Sequence, residues 1–238
     1  MLKEAMQFLI EQSREALVEW EDRPYATCEI KPVLDPMPKA LGIHTLTGIS
    51  DYLAENTDGL CLDNLLAHVS DARNVSLYQR LSGPFHQRPC FLEATYGENQ
   101  FDFNRFMDVE QFVIELQAKF VQDEMTALIL QVVGNITDGI VNTFADDGIT
   151  QQVTSKSGVG RVINANIPNP VVLQPYRTFS EIDQPPGRFV LRLRSGSGDN
   201  RPSVALFEAD GGAWKLEAIK RIQKWLRDHL PEEVAVIA

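Results

Sequence analysis

The sequence predicts an α+β fold, with a mixed or antiparallel sheet packed on a long central helix and a C-terminal helix. Three observations carry this. Within residues 105–120, RFMDVEQFVIELQAKF, the side chains of Val109, Phe112, Val113, Leu116 and Phe120, then Val121, recur at helical spacing. So broad an apolar stripe has to be covered by another element. Runs of β-branched and aromatic residues stand before and after that helix instead of alternating with helices one by one. The chain then ends on a second amphipathic segment bearing Trp214, Ala218, Ile219, Ile222, Trp225, Leu226 and His229.

With 238 residues, 44% hydrophobic and 23% charged, the chain has the makeup of an ordinary globular protein and enough apolar material for a sizeable core. One α+β domain over residues 1–238 is expected, with 1–22 as an N-terminal docking or oligomerisation helix. The net charge of −11 argues against broad binding to nucleic acid or to an anionic membrane. That charge is uneven. Residues 1–175 hold 12 Lys/Arg against 24 Asp/Glu, a balance of −12, whereas residues 176–230 hold 10 against 7, a balance of +3; the last eight add −2.

Cys28, Cys61 and Cys90 are odd in number and lack paired spacing, the pattern of free thiols in a reducing cytosol rather than of a disulfide framework or zinc site. Glu4, Gln7, Glu11 and Arg14 break the N-terminal segment, unlike a signal-peptide core, and no run approaches the roughly 18 apolar residues of a membrane span. A cytoplasmic protein without a membrane partner is expected.

In chain order, residues 2–20 read as an amphipathic helix with Leu2, Met6, Leu9, Ile10, Ser13, Leu17 and Trp20 along one side, ended by Pro24. Met6, Leu9, Ile10, Leu17 and Trp20 are its candidate oligomer interface. Residues 25–34 alternate like a strand, closed by Pro32, Pro36 and Pro38. A short helix over 45–56, capped by Thr45 or Thr47, turns Ile49, Tyr52 and Leu53 inward. Two strands flank Asp71, Arg73 and Asn74 within 65–81, and a third covers 90–96.

Asp108 and Gln111 make a capping box for the central helix, and Met107 with Phe112 a hydrophobic staple. The apolar period resumes at Met125, Leu128, Ile129, Val132, Val133, Ile136 and Ile140. Two helices, or one bent helix, are therefore expected to fill 108–144, broken near Gly134 and Asn135. Residues 149–159 should be extended, and Pro168 and Pro170 isolate a short strand at 171–176. Pro185, Pro186 and Gly187 turn the chain into RFVLRLR, which SGSGDNRP joins to SVALFEA as a hairpin. Asp210, Gly211 and Gly212 open the last helix, Glu217 and Arg221 form an i,i+4 pair on it, and Pro231 ends it. The weakest place for a boundary is 146–168.

Little in the chain announces chemistry. There is no G-x-S-x-G elbow, and His44, His68, His86 and His229 lack metal-ligand spacing. Residues 209–212 lie between a strand and a helix but match neither nucleotide fingerprint, and the Asp210 carboxylate would repel a phosphate. A Mg²⁺-dependent nuclease would need gathered acids, for which Glu29 and Lys31 (an E-x-K triplet), Asp146, Asp147, Glu208 and Asp210 are the candidates. Arg188, Arg192, Arg194, Arg201, Lys215 and Arg221 form a candidate basic face for an acidic partner, a neighbouring subunit or a nucleic-acid backbone. No catalytic residue, metal ligand or cofactor is assigned.

The blocks FMDVEQFVIELQAKF, DDGITQQVTSKSGV, NPVVLQPYRTFSEIDQP and ALFEADGGAWKLEAI resemble the YfdQ-like family of bacteriophage and prophage proteins. The likeness spans roughly residues 40–230 and is strongest from Phe106 onward. It implies a phage protein living in the cytoplasm of a bacterial host, and it carries no catalytic residues to transfer. A non-enzymatic role in self-assembly, as a ring or capsid-like shell, or in binding a phage or host protein is expected. The alternatives are a nuclease or DNA-binding protein of phage recombination, or an inhibitor of a host defence component.

Overall fold

The structure is a computed structural model that describes residues 3–5, 17–20, 23–26, 36–83, 86–97, 100–137, 139–146, 150–157, 161–194 and 201–238, with the backbone alone at 17–20, 23–26, 135–137, 139–146, 150–157 and 161–166. The chain divides into two compact units, Met1–Met37 and Pro38–Ala238.

In the first unit residues 3–5 are helical, and β1 (Leu17–Trp20) pairs antiparallel with β2 (Arg23–Ala26). A helix running through 2–20 is thus corrected at its end. Leu17, Val18 and Trp20 are branched or aromatic, and Trp20 is paired with Arg23. Pro24 sits inside β2 instead of ending a helix. Met6, Leu9, Ile10, Glu29 and Lys31 lie outside the described residues, as do the side chains of Leu17 and Trp20.

The second unit begins with β3 (Leu41–Ile43), α1 (Thr47–Glu55), β4 (Leu65–Val69), β5 (Asn74–Gln79) and β6 (Cys90–Thr95). It continues through β7 (Met107–Asp108), α2 (Val109–Lys119), α3 (Glu124–Thr137), β8 (Gly139–Asp146), β9 (Thr150–Ser157) and β10 (Arg161–Pro168). Last come β11 (Val171–Leu173), β12 (Gly187–Arg194), β13 (Ser203–Glu208), α4 (Ala213–His229) and β14 (Ala235–Ile237). These strands form a five-stranded sheet in the order β14-β4-β5-β6-β3, a four-stranded sheet β11-β12-β13-β7 and a three-stranded sheet β10-β9-β8. The outer strands β3 and β14 run parallel to their neighbours and the remaining pairs are antiparallel, which makes the architecture α+β.

The central helix starts on one half of the expected capping box: the Asp108 side chain accepts from the Gln111 N–H at 2.9 Å, while the Gln111 amide donates to Glu115 Oε1 at 3.0 Å, and Met107 and Phe112 are both buried. Its stripe of Val109, Phe112, Leu116 and Phe120 packs on Phe189, Leu191, Val204 and Leu206 of the four-stranded sheet, with Ile129, Val132 and Val133 of α3 completing this first core. Gly134 does not break α3, which runs unbroken through it. The break falls at Phe120–Asp123, where Asp123 and Thr126 cap α3 reciprocally (Thr126 N–H to Asp123 Oδ1, 2.8 Å; Asp123 N–H to Thr126 Oγ1, 2.7 Å). Helix does not extend to 144, because Ile140, Val141, Thr143 and Phe144 favour the pleated β8, which pairs with β9. A second core fills the five-stranded sheet from Leu65, Ala67, Val75, Leu77, Leu92 and Ala94, covered by Ile49 and Leu53 of α1 and Ile222 and Leu226 of α4. Among the described residues no helix is long and apolar enough to cross a membrane.

Candidate functional site

The most unusual side chain lies where these two cores meet. Arg177 sits in the loop between β11 and β12, and that loop is fixed from both ends. Gln184, buried, accepts from the Arg177 and Thr178 N–H groups at 3.1 and 3.3 Å, and its amide donates to the carbonyls of Thr178, Phe179 and Ile182. Phe179 and Ile182 belong to the second core, and the Thr178 hydroxyl donates to the Ala72 carbonyl. The loop therefore cannot shift without disturbing the packing beneath it.

The Arg177 guanidinium is 1% exposed. It lies over the Trp214 ring at 4.0 Å from the centroid and over Phe189 at 5.5 Å. Nη1 donates to Glu208 Oε1 at 3.1 Å, and Nη2 stands 3.9 Å from Asp210 Oδ2. Nε, Nη2 and that Asp210 oxygen are buried without a hydrogen-bond partner. Desolvation pushes the Arg177 pKa down to about 10; Asp210 and Glu208 oppose that shift and the charge on Arg73 adds to it. Arg177 is still a cation at neutral pH. Gly187 makes room for it, since a Cβ there would overlap Nη2 and come within 3.0 Å of the Phe189 ring.

Beside a smaller hollow of about 310 Å³ lined by Asp71, Ala72, Arg73, Asn74 and Lys215, two larger ones border Trp214. One, of about 520 Å³, is lined by Arg73, Arg177, Lys215, Glu208, Gln100, Asn104, Phe103, Trp214 and the Gly211-Gly212 turn. Arg73 donates to Gln100 Oε1, the Asn104 side chain accepts from the Glu208 N–H at 3.1 Å, and Lys215 has no ion pair among the described residues. The other, of about 450 Å³, is lined by Val172, Pro186, Arg188, Asp210, Glu217 and Arg221 among others.

The residues singled out from sequence scatter into three fates. Glu208 and Asp210 do come together, but around a guanidinium and not around a metal site. Asp147 lies outside the described residues, and of Asp146 only the backbone is described. Among the described residues no group of three or more His, Cys, Asp or Glu is placed to hold an ion. The basic residues do not share one face. Lys215 lines the hollow beside Arg177, whereas Arg188, Arg192 and Arg194 occupy the side of β12 turned away from Phe189 and Leu191. Arg194 covers the Phe106 ring at 3.6 Å, Arg201 is exposed, and Arg221 is held by Glu217 at 2.9 Å and by the Asp183 carbonyl at 3.0 Å. The Cys61 thiol is pushed up by its hydrogen bond to Asp63, and Cys90 by burial, so neither is activated as a nucleophile.

Arg177 and Arg73 escaped the sequence reading. The only charged residue of LQPYRTF was the signal available for Arg177, because burying a guanidinium demands partners from elsewhere in the chain. The chain matches no family model, no curated protein and no solved structure.

Proposed function

We propose that this is a bacteriophage or prophage accessory protein of the bacterial cytoplasm that acts by self-assembly and not by catalysis. The observation that carries the reading is the outer side of the β11–β12 pair. Val172, 51% exposed, stands directly across from the exposed Arg188, and Tyr176, 42% exposed, follows the same strand. Apolar, tyrosine and arginine side chains presented together make the composition of a binding patch. Arg188 within it can pair with an acid among residues 1–175, whose balance is −12 and which a second copy of the chain supplies. A contact between unlike patches joins subunits head to tail, into a ring or an open array. The family resemblance supports the phage origin.

Size-exclusion chromatography with light scattering tests this on the full chain at micromolar concentration. An oligomer at low salt that dissociates as salt rises, and that Val172→Glu with Arg188→Glu reduces to monomer, is the expected result. A monomer at every salt concentration overturns the proposal.

A further inference from the structure

We propose that the hollow between Arg73, Arg177 and Lys215 binds a phosphoryl group. Three cations line it against one carboxylate, Glu208. Asp210, whose charge spoke against a phosphate in this turn, does not line this hollow; its Oδ1 accepts from the Gly212 N–H at 2.9 Å and its Oδ2 faces Arg177. Arg177 and Arg73 are close enough that the charge of one weakens the other, and no anion of the chain lies within ion-pair distance of Arg73 among the described residues. Arg177, almost wholly buried, turns Nη2 toward Asp210 Oδ2 at 3.9 Å and keeps Nε without a hydrogen-bond partner, and buried charged donors are rarely left so.

The start of α4 adds to this field. Gly211 and Gly212, with φ of +62° and +81°, line the hollow and present only backbone there, and the helix they open is 17 residues long and has no side-chain cap. The Gly212 N–H is taken by Asp210 Oδ1, and the Ala213 and Lys215 N–H groups by the carbonyls of Asp210 and Gly212, so the helix contributes its dipole and not free amides. Two guanidinium groups and an ammonium supply donors from several directions. That suits a tetrahedral dianion with three terminal oxygens better than a planar carboxylate with two. A phosphoryl group fills only part of about 520 Å³, and the amides of Gln100 and Asn104 and the Phe103 ring stand where an attached organic group would lie. The proposal is independent of the assembly reading, which uses the far side of the β11–β12 pair.

Isothermal titration of the full chain with inorganic phosphate, adenosine 5′-monophosphate and acetate, at constant chloride, tests it. Saturable binding of phosphate or the nucleotide is expected, weakened about tenfold or more in Lys215→Ala and in Arg73→Gln, with acetate far weaker. Lys215 is exposed and Arg73 half-buried, and circular dichroism of both variants should match the parent. Tighter binding of the nucleotide identifies a phosphomonoester as the ligand, and binding of phosphate alone identifies the free ion. The proposal is overturned if neither binds up to about 10 mM, if acetate binds as well as phosphate, or if both variants bind like the parent.

Discussion

Gly187→Ala isolates the clamp around Arg177 with a single methyl group. The added Cβ would overlap Nη2 of Arg177 and press on the Phe189 ring at 3.0 Å. A flexible surface arginine would simply move aside. Here the guanidinium is wedged against Trp214 at 4.0 Å and tied to Glu208 at 3.1 Å, so retreat means breaking one of those contacts. Overpacking of this kind costs about 1–3 kcal/mol, and the lower entropy of the unfolded alanine chain returns about 0.4–1 kcal/mol. The net loss is then between roughly zero and about 2.6 kcal/mol, at about 2–4 °C in melting temperature per kcal/mol for a unit of this size. Urea denaturation followed by tryptophan fluorescence measures it. Gly42→Ala in β3, where a Cβ meets nothing within 4 Å, is the control and should be neutral or slightly stabilising. In an Arg177→Met background only the contact with the Phe189 ring remains, so the alanine should cost less and the double-mutant cycle should show coupling. Strict additivity with Arg177→Met would refute the reasoning.

Two further outcomes follow from contacts elsewhere. Glu181 reaches across the fold to the first turn of α1, where its carboxylate accepts from the Thr47 N–H at 3.0 Å and from its hydroxyl at 3.1 Å; Glu181→Ala should cost about 0.5–2 kcal/mol in urea denaturation, as loss of a helix cap does. Tyr52 is raised to about 12 by burial and by its hydrogen bond to Asp58, so one tyrosine should ionise last in an absorbance titration, and Asp58→Asn should bring it down. Because the folded value lies above the ordinary 10, the stability that Tyr52 contributes is complete below pH 10 and is lost as pH rises through 12. Simultaneous ionisation of all tyrosines near 10 would show that bond to be absent.

What could be seen in the sequence was what local chemistry decides. The Asp108 cap, the staple of Met107 on Phe112 and the β12–β13 hairpin each depend on residues a few positions apart, and each is present. Ile136 and Ile140 continued a helical period by chance, although β-branched crowding from Ile140 onward ends the helix at Thr137. The strands β3 and β14 were invisible because three residues carry no period, and their partners, β6 and β4, lie far off in the chain. The site was half legible. Glu208, Asp210 and Lys215 stood out as charged residues beside a strand-to-helix turn. Their common neighbour Arg177 did not, because the rings and carboxylates that hold it come from three separate elements.

The pairing of Ala235 with Leu66 has a consequence for synthesis. As the polypeptide emerges from the ribosome, β3 to β6 can pair early, yet the lid supplied by Ile222 and Leu226 and the rim strand β14 do not yet exist. Until residues 213–237 emerge, the nascent sheet has only Ile49 and Leu53 of α1 as helical cover, and closure of the rest is a late event that spans nearly the whole second unit.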